Sequence, residues 1–192
     1  MADSSGLIET PRLLLYLIPV EMLIALYEDP ESVQFAPHVP YSNPHGVLVN
    51  DSGPLRWRVP QVKVDPELNK WFVRFIVWKA THEVVGSISF HSGPDINGMI
   101  EIGLGIETSF RNRGIATEAL SGMWSWGSMQ AGVQTLRYTV SPSNSASVHI
   151  VNKFGFALVG QQIDEEDGPE DIYEMSTTEF QSRFTVPEAP LE

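Results

Sequence analysis

The sequence MIEIGLGIETSFRNRGIATEAL, residues 99–120, predicts a strand, a tight turn and a helix in direct succession. Isoleucine and leucine at positions 100, 102, 104 and 106 recur at every second residue, which is typical of a half-buried strand. The opposite face of this strand carries Glu101, Gly103 and Gly105, and the two glycines leave room for a ligand against the backbone. From Ala116 onward, apolar residues recur at the spacing of three to four that indicates a helix.

The turn Arg111–Ala116 lies at the N-terminus of that helix, where four backbone N–H groups lack intrahelical partners. Gly114 permits a positive φ and the close approach of a ligand, and Ala116 keeps the first helical turn small. These features predict an anion site, most naturally for a phosphate or pyrophosphate. Arg111 and Arg113 are expected to add charge-assisted hydrogen bonds, although two arginines in an exposed loop also serve solubility alone.

Three segments together resemble the GNAT superfamily of acyl-CoA-dependent N-acyltransferases. Arg111–Ala116 fits that family's pyrophosphate loop, Arg/Gln-x-x-Gly-x-Gly/Ala, and Asn144–Ser147 followed by Lys153–Phe156 is similar to its second signature. Glu9–Leu15 is similar to the first strand of the branch that contains the ribosomal-protein N-terminal acetyltransferases, the RimJ/RimL-like branch. The resemblance covers about residues 8–176 in the family's order and spacing.

The strand and helix patterns predict an α+β fold in the order β-α-(α)-β-β-β-α-β-α-β-β. The resemblance implies a GNAT-type mixed, mostly antiparallel central sheet flanked by helices. We expect residues 1–176 to form a single GNAT acetyltransferase domain and residues 177–192 to form a C-terminal tail. Residues 36–66 contain six prolines and two glycines, which predicts a long irregular loop, and in this family that segment flanks the acceptor site.

The resemblance implies an enzyme that moves an acetyl group from acetyl-CoA to a primary amine by direct attack. A backbone N–H of the strand between Gly103 and Ile106 is expected to polarise the thioester carbonyl. No covalent enzyme intermediate is expected. The residues expected to bind acetyl-CoA are Leu104, Ile106, Arg111, Asn112, Arg113, Gly114, Ile115, Ala116 and Asn144.

Glu101 and Ser147 are the candidate catalytic residues. Glu101 lies on the glycine face, and similar GNAT enzymes often use a strand glutamate there as general base; a structural acid at a strand edge is an equal alternative. Asn144 and Ser147 have the spacing of a helix N-cap pair, and the resemblance implies that they also face the pantetheine arm and the thioester sulfur. Val151 stands where the family commonly has a tyrosine general acid. That role therefore falls to Ser147, to a bound water or to no residue.

Composition restricts the partners and the location of this chain of 192 residues. The net charge of −12 opposes binding to nucleic acid and favours a cationic acceptor, although acidity also serves solubility. Residues 164–192 contain ten acidic residues and one basic residue, and Glu170, Asp171 and Glu174 are expected to border the amine site. The five histidines lack metal-ligand spacing, so no metal site is expected. The absence of cysteine and of a signal or membrane-spanning segment predicts a cytoplasmic protein, as a monomer or homodimer.

The acceptor stays open at this point, since a protein N-terminus, an aminoglycoside, an amino acid and a polyamine all fit. Two rival functions use the same features. The first is a non-catalytic acyl-CoA sensor, which the valine at position 151 favours. The second is a nucleotide-phosphate binder unrelated to CoA, which would show no preference for the pantetheine arm.

Overall fold

A computed structural model of the protein describes residues 6–33, 40–166 and 168–184, which form eight strands and five α-helices. These residues divide into two compact units. The first contains the described residues up to Gly93 together with Ile102–Gly122, and the second contains Pro94–Glu101 and the described residues from Met123 onward. One strand and one helix are shared, because the chain passes from one unit to the other within each of them.

An antiparallel sheet forms the framework of the first unit. Alternate residues of its second strand, Leu13 and Leu15, are fully buried, as expected when one face of a strand packs on a core. The last strand pairs with its neighbour in a regular register from Ile102 to Ile106. A β-bulge lies between Ile76 and Val77, in the pairing of the third and fourth strands. In chain order and in order of hydrogen bonding, the strands are β1 (Ile8–Glu9), β2 (Leu13–Leu17), β3 (Arg74–Trp78), β4 (Glu83–Phe90) and the second part of β5 (Met99–Ile106).

Two helices of the first unit come between β2 and β3. Helix α1, Val20–Glu28, follows Pro19 and buries Leu23 and Leu26, and it corresponds to the first helix of the predicted order. Helix α2, Leu55–Val64, lies within the segment predicted to be an irregular loop, so that prediction is wrong for these residues. Pro60 removes one helical hydrogen bond, but the burial of Leu55, Val59 and Val62 offsets this loss. Residues 36–39 of the predicted loop lie outside the described residues.

The second unit is built on β6, whose neighbours are parallel on one side and antiparallel on the other. Its residues Thr135–Arg137 pair in parallel with Met99–Glu101 of β5, and the whole strand pairs antiparallel with β8, which in turn pairs with β7. Trp124 is fully buried and lies 4.6–6.2 Å, between ring centroids, from three phenylalanines and a tyrosine of this unit. The elements are α3 (Ile115–Ser128, shared with the first unit), β6 (Thr135–Val140), α4 (Ser145–Phe154), β7 (Ala157–Asp164), β8 (Gly168–Ser176) and α5 (Thr177–Phe184).

Helix α5 corrects the prediction of a tail that starts at residue 177. Phe180 is fully buried and its ring lies 6.2 Å from that of Trp124, so an aromatic contact distant in sequence orders this helix. The remainder of the predicted tail, residues 185–192, lies outside the described residues. The boundary of a single domain at residue 176 stays a prediction.

The fold class is confirmed as α+β with a mostly antiparallel sheet, because only the pairing of β5 with β6 is parallel among the described strands. The order of elements differs from the predicted one by the two-residue strand β1 at the start and by α5 at the end. None of the helices formed by the described residues has the length and apolar character required to cross a membrane.

Candidate active site

The second part of β5 presents backbone groups on the side that β4 does not use. The N–H of Glu107 donates to the carbonyl of Val85 at 2.9 Å, which places the odd-numbered residues of β5 in hydrogen bonds to β4. Because backbone groups alternate along an antiparallel strand, Leu104 and Ile106 direct theirs away from β4. This orientation leaves the backbone groups of Leu104 and Ile106 available for the expected contact with acetyl-CoA.

The glycine face of the same strand is open at its downstream end. A Cβ placed on Gly105 would meet no atom within 4 Å, whereas one on Gly103 would lie 3.2 Å from Nε2 of His91. The predicted burial of alternate residues holds for Ile102, which is fully buried, but Leu104 and Ile106 are only half-buried. A ligand on the open side of Gly105 would therefore lie against the strand backbone.

The turn between β5 and α3 has the geometry of an anion site. Asn112 and Gly114 both adopt positive φ, 60° and 75°, a conformation found in backbone turns that bind anions. The N–H of Glu118 donates to the carbonyl of Gly114 at 3.1 Å, so Gly114 is the residue that precedes the first turn of α3. The N–H groups of Ile115 and Ala116 then lie among the orphan donors of the helix start.

The two arginines of the turn have different environments. Arg111 is exposed, and its Nε donates to the carbonyl of Ile106 at 3.0 Å, which joins the turn to the end of β5. The guanidinium of Arg113 lies over the ring of Phe110, 5.0 Å from its centroid. Both side chains remain at the surface of the turn and could form charge-assisted hydrogen bonds to a phosphate.

Side chains of the N-terminal segment form hydrogen bonds to the turn and to Glu118 in the first turn of α3. Arg12 donates through Nη1 to the carbonyl of Arg113 at 3.0 Å and through Nε to Oε2 of Glu118 at 2.6 Å. Oε1 of Glu118 accepts from the hydroxyl of Thr10 and from the N–H of Arg12, both at 2.7 Å. Burial raises the pKa of Glu118, but these hydrogen bonds and the charge of Arg12 outweigh burial and leave the pKa below its usual value.

In the second unit, Glu101 is half-buried and accepts a hydrogen bond from the hydroxyl of Thr139 on β6. Arg137, its register partner in the parallel pairing, forms an ion pair with Glu174 at 2.6 Å. A half-buried carboxylate that accepts from the hydroxyl of Thr139 suits a general base, and it equally suits a structural acid that links two strands.

Ser147 lies in the first turn of α4 and has two partners. Its N–H donates to Oδ1 of Asn144 at 3.2 Å, the geometry of a helix cap, and its Oγ accepts from the hydroxyl of Tyr138 at 3.3 Å. Tyr138 is 5% exposed, and burial raises the pKa of its hydroxyl more than the bond to Ser147 lowers it. The tyrosine hydroxyl is thus the donor in this pair. Val151 is fully buried, so it presents no group to a ligand.

Each unit thus brings part of the predicted set together. In the first, Leu104, Ile106 and the turn Arg111–Ala116 are joined through the Arg111 hydrogen bond; in the second, Asn144 contacts Ser147. Sequence reasoning missed five residues of these networks, although two of them belong to the N-terminal segment that carries the family resemblance. These residues are Thr10, Arg12, Glu118, Tyr138 and Thr139.

The acidic residues expected near the amine site are in different environments. Asp171 is 9% exposed and accepts from the side-chain amide of Gln161 at 2.8 Å, and Glu174 is neutralised by its pair with Arg137. Glu170 is half-buried and accepts from Gln162 at 2.9 Å. Of the three, Glu170 best retains a field that a cation would experience. Across residues 6–33, 40–166 and 168–184, no group of three or more histidine and acidic side chains is placed to hold a metal ion.

Comparison with known proteins agrees with this fold. The family model described as the Acetyltransferase (GNAT) domain matches residues 12–157. Because this match covers most of the chain, the protein belongs to the GNAT acetyltransferase family.

Two bacterial relatives are similar in sequence. The uncharacterized N-acetyltransferase YjdG of Bacillus subtilis (strain 168) is 35% identical over 83 residues, which are 43% of this chain and 49% of YjdG. The chain thus matches about half the length of that relative. The uncharacterized N-acetyltransferase p20 of Bacillus licheniformis is 24% identical over 140 residues, 73% of this chain and 74% of p20.

Among solved structures, RimL, a ribosomal L7/L12 alpha-N-protein acetyltransferase in complex with coenzyme A, has a TM-score of 0.60. The comparison covers 88% of this chain and 97% of RimL at 16% sequence identity. At this identity the likeness shows a common fold.

Proposed function

We propose that this acetyltransferase uses acetyl-CoA as donor and a primary amine, at a protein N-terminus or on a small molecule, as acceptor. The observation that carries the proposal is the turn Arg111–Ala116, in which two residues of positive φ precede the free N–H groups of a helix. A pyrophosphate has the charge and the spread of oxygen atoms that such a turn binds. The coenzyme A in the RimL complex supports the same type of ligand.

In this proposal the two units have separate tasks. The turn of the first unit, with Arg111, Arg113 and Asn112, binds the pyrophosphate, and the backbone groups of Leu104 and Ile106 bind the pantetheine arm. In the second unit, Asn144 is assigned to acetyl-CoA binding, and Glu101 and Ser147 are assigned to proton transfer. No metal is required, because the thioester is already activated toward an amine.

The reaction balances without a further reactant. The amine nitrogen forms a bond to the thioester carbonyl carbon, and a strand N–H stabilises the negative oxygen that results. Glu101 accepts the proton that the amine loses, directly or through water. The carbon–sulfur bond then breaks, and the thiolate of CoA leaves with its electron pair and receives a proton from Ser147 or from solvent. A free thiol has a pKa of about 8.5, so the CoA thiolate can leave even without a strong general acid.

A cationic acceptor is part of the proposal because the chain carries a net charge of −12. Glu170 is the residue of the β8 group to test. Glu170→Lys should raise the KM for the amine about 2- to 5-fold at low salt, and physiological salt should reduce the difference because exposed charges are screened. Steady-state kinetics at two ionic strengths measure this, and a KM indifferent to both changes would assign the acidic surface to solubility.

The second candidate is a non-catalytic acyl-CoA sensor. Its specific support is the fully buried Val151 in place of a tyrosine general acid. A sensor would bind acetyl-CoA and release it without turnover. The absence of cysteine supports a cytoplasmic location for either candidate.

The test is a screen of amines with acetyl-CoA, in which release of free thiol is followed and products are identified by mass spectrometry. The panel contains peptides with free N-termini, amino acids, polyamines and aminoglycosides. We expect acetylation of at least one class at a rate above that of Glu101→Gln measured in parallel. Tight acetyl-CoA binding without product in any class favours the sensor, and no preference for acetyl-CoA over a simple nucleotide diphosphate contradicts both candidates.

A further inference from the structure

The N-terminal segment reaches the back of the phosphate-binding turn through one side chain. Arg12 is held at Nε by Glu118, and its Nη1 donates to the carbonyl of Arg113 at 3.0 Å. Its Nη2 lies 3.3 Å from the position that a Cβ on Gly114 would occupy. The proposed function gives this side chain no role, although it contacts the part of the turn where the backbone matters most.

We infer that Arg12 is a positioning residue that fixes the Arg113–Gly114 peptide so that the turn is ready to bind pyrophosphate before the ligand arrives. The inference rests on the proposed function of the turn. In a trans peptide the carbonyl and the N–H point in opposite directions. Because Arg12 donates to the carbonyl of Arg113, the N–H of Gly114 in the same peptide points away from Arg12. In this inference the pyrophosphate binds on the side to which that N–H points.

Three contacts, of its Nε, its backbone N–H and its guanidinium plane, restrict the conformation of Arg12. Glu118 accepts from both its Nε and its backbone N–H, and the guanidinium lies 5.4 Å from the centroid of the Trp78 ring. Thr10 supplies a further bond to Glu118 at 2.7 Å. The arginine is thus fixed by a bonded carboxylate and an aromatic ring, so the loss of side-chain entropy occurs on folding and not on ligand binding.

The negative charge of Glu118 distinguishes positioning of the turn from direct electrostatic attraction of the ligand. Glu118 places a negative charge in the first turn of α3, beside a site that is proposed to bind a highly negative ligand. By electrostatics alone, removal of this charge would strengthen pyrophosphate binding. If Glu118 instead serves to hold Arg12 against the turn, its removal weakens binding.

The test measures binding of CoA and of inorganic pyrophosphate by calorimetry to wild type, Arg12→Met and Glu118→Gln. We expect both variants to bind each ligand roughly 10-fold more weakly, the effect of a lost charge-assisted hydrogen bond. In turnover, the KM for acetyl-CoA should rise while kcat at saturation is retained, a split that general loss of structure would not produce. Lys79→Met is the matched control, because Lys79 is a nearby cation that bonds Glu9 and the carbonyl of Thr10.

Equal or tighter binding of CoA by folded Glu118→Gln overturns the inference, and so does a loss of affinity in Lys79→Met as large as in Arg12→Met. If Arg12→Met does not fold, Glu118→Gln, which keeps the shape of its side chain, decides alone. Wild type that binds pyrophosphate but not CoA would refute the proposed function and leave the positioning role measurable with pyrophosphate. Binding of CoA that is equal in all four proteins would refute the positioning role alone.

Discussion

The turn Arg111–Ala116 of the first unit, proposed to bind phosphate, and the polar residues of the second unit are built in different ways. The turn offers backbone groups, whose conformation is set by two positive φ angles and by hydrogen bonds to the carbonyls of Arg113 and Ile106. The second unit presents side-chain groups in pairs, Thr139 with Glu101 and Tyr138 with Ser147. A backbone site is sensitive to changes of conformation, whereas a side-chain site is sensitive to changes of protonation. Substitutions should therefore affect binding in the first region and turnover in the second.

The largest expected effect on binding comes from Gly114→Val. The substitution forces a β-branched residue into a φ of 75° and places its Cβ 3.3 Å from Arg12, so affinity for acetyl-CoA should fall by roughly 100-fold or more. Calorimetry on the folded variant measures the change. Gly168→Val is the control, since Gly168 has the same φ with no atom within 4 Å of an added Cβ. Unchanged affinity in Gly114→Val would remove the turn from the binding site.

The largest expected effect on turnover comes from Glu101→Gln. The amide keeps the shape of the side chain and cannot accept the proton, so kcat should fall about 100-fold while acetyl-CoA binding persists. Thr139→Val, which removes the hydroxyl donor and leaves the carboxylate, should retain most activity. A full rate in Glu101→Gln together with a loss of stability in both variants would assign Glu101 the structural role.

A smaller effect on turnover is expected from the pair on β6 and α4. Ser147→Ala and Tyr138→Phe should each lower kcat several-fold to about 10-fold, and Tyr138→Phe should have no further effect in the Ser147→Ala background. This result is expected because Tyr138 acts by donating to Ser147, which leaves the serine proton for the departing thiolate. Tyr173→Phe, the buried register partner of Tyr138, is the control. Additive losses in the double variant would contradict the link between the two hydroxyls.

The smallest expected effect is on stability at acidic pH. The folded pKa of Glu118 lies below the ordinary value of 4.5, so its interactions stabilise the protein above that value and are lost as the pH falls through the folded pKa. The free energy of unfolding of wild type should exceed that of Glu118→Gln at neutral pH, and the difference should shrink below pH 4.5. Urea unfolding across this range measures it. A difference independent of pH would show that the carboxylate charge does not contribute.

The sequence by itself determined the parts of the molecule that depend on local backbone chemistry. Alternation along β5, the glycine at position 114 and the start of α3 predicted the turn. Gly155, with a φ of 80°, ends α4 in the way that is common for glycine. The order of strands and helices also followed from local patterns, apart from β1 and α5, although the residues of α2 were predicted to be a loop. Local conformational preferences act within a few residues, so a sequence shows them directly.

Tertiary structure alone decided which distant residues meet. Thr10 and Glu118 are 108 residues apart and Glu101 and Thr139 are 38 apart, and no periodicity indicates that their side chains bond. The same reason explains why the predictions of an irregular loop over residues 36–66 and of a tail from residue 177 were partly wrong. Helix α2 forms despite Pro60 because its apolar residues are buried, and α5 forms because Phe180 packs near Trp124. Burial and pairing between distant segments depend on the folded chain as a whole, and there they override the local preference for a loop or a tail.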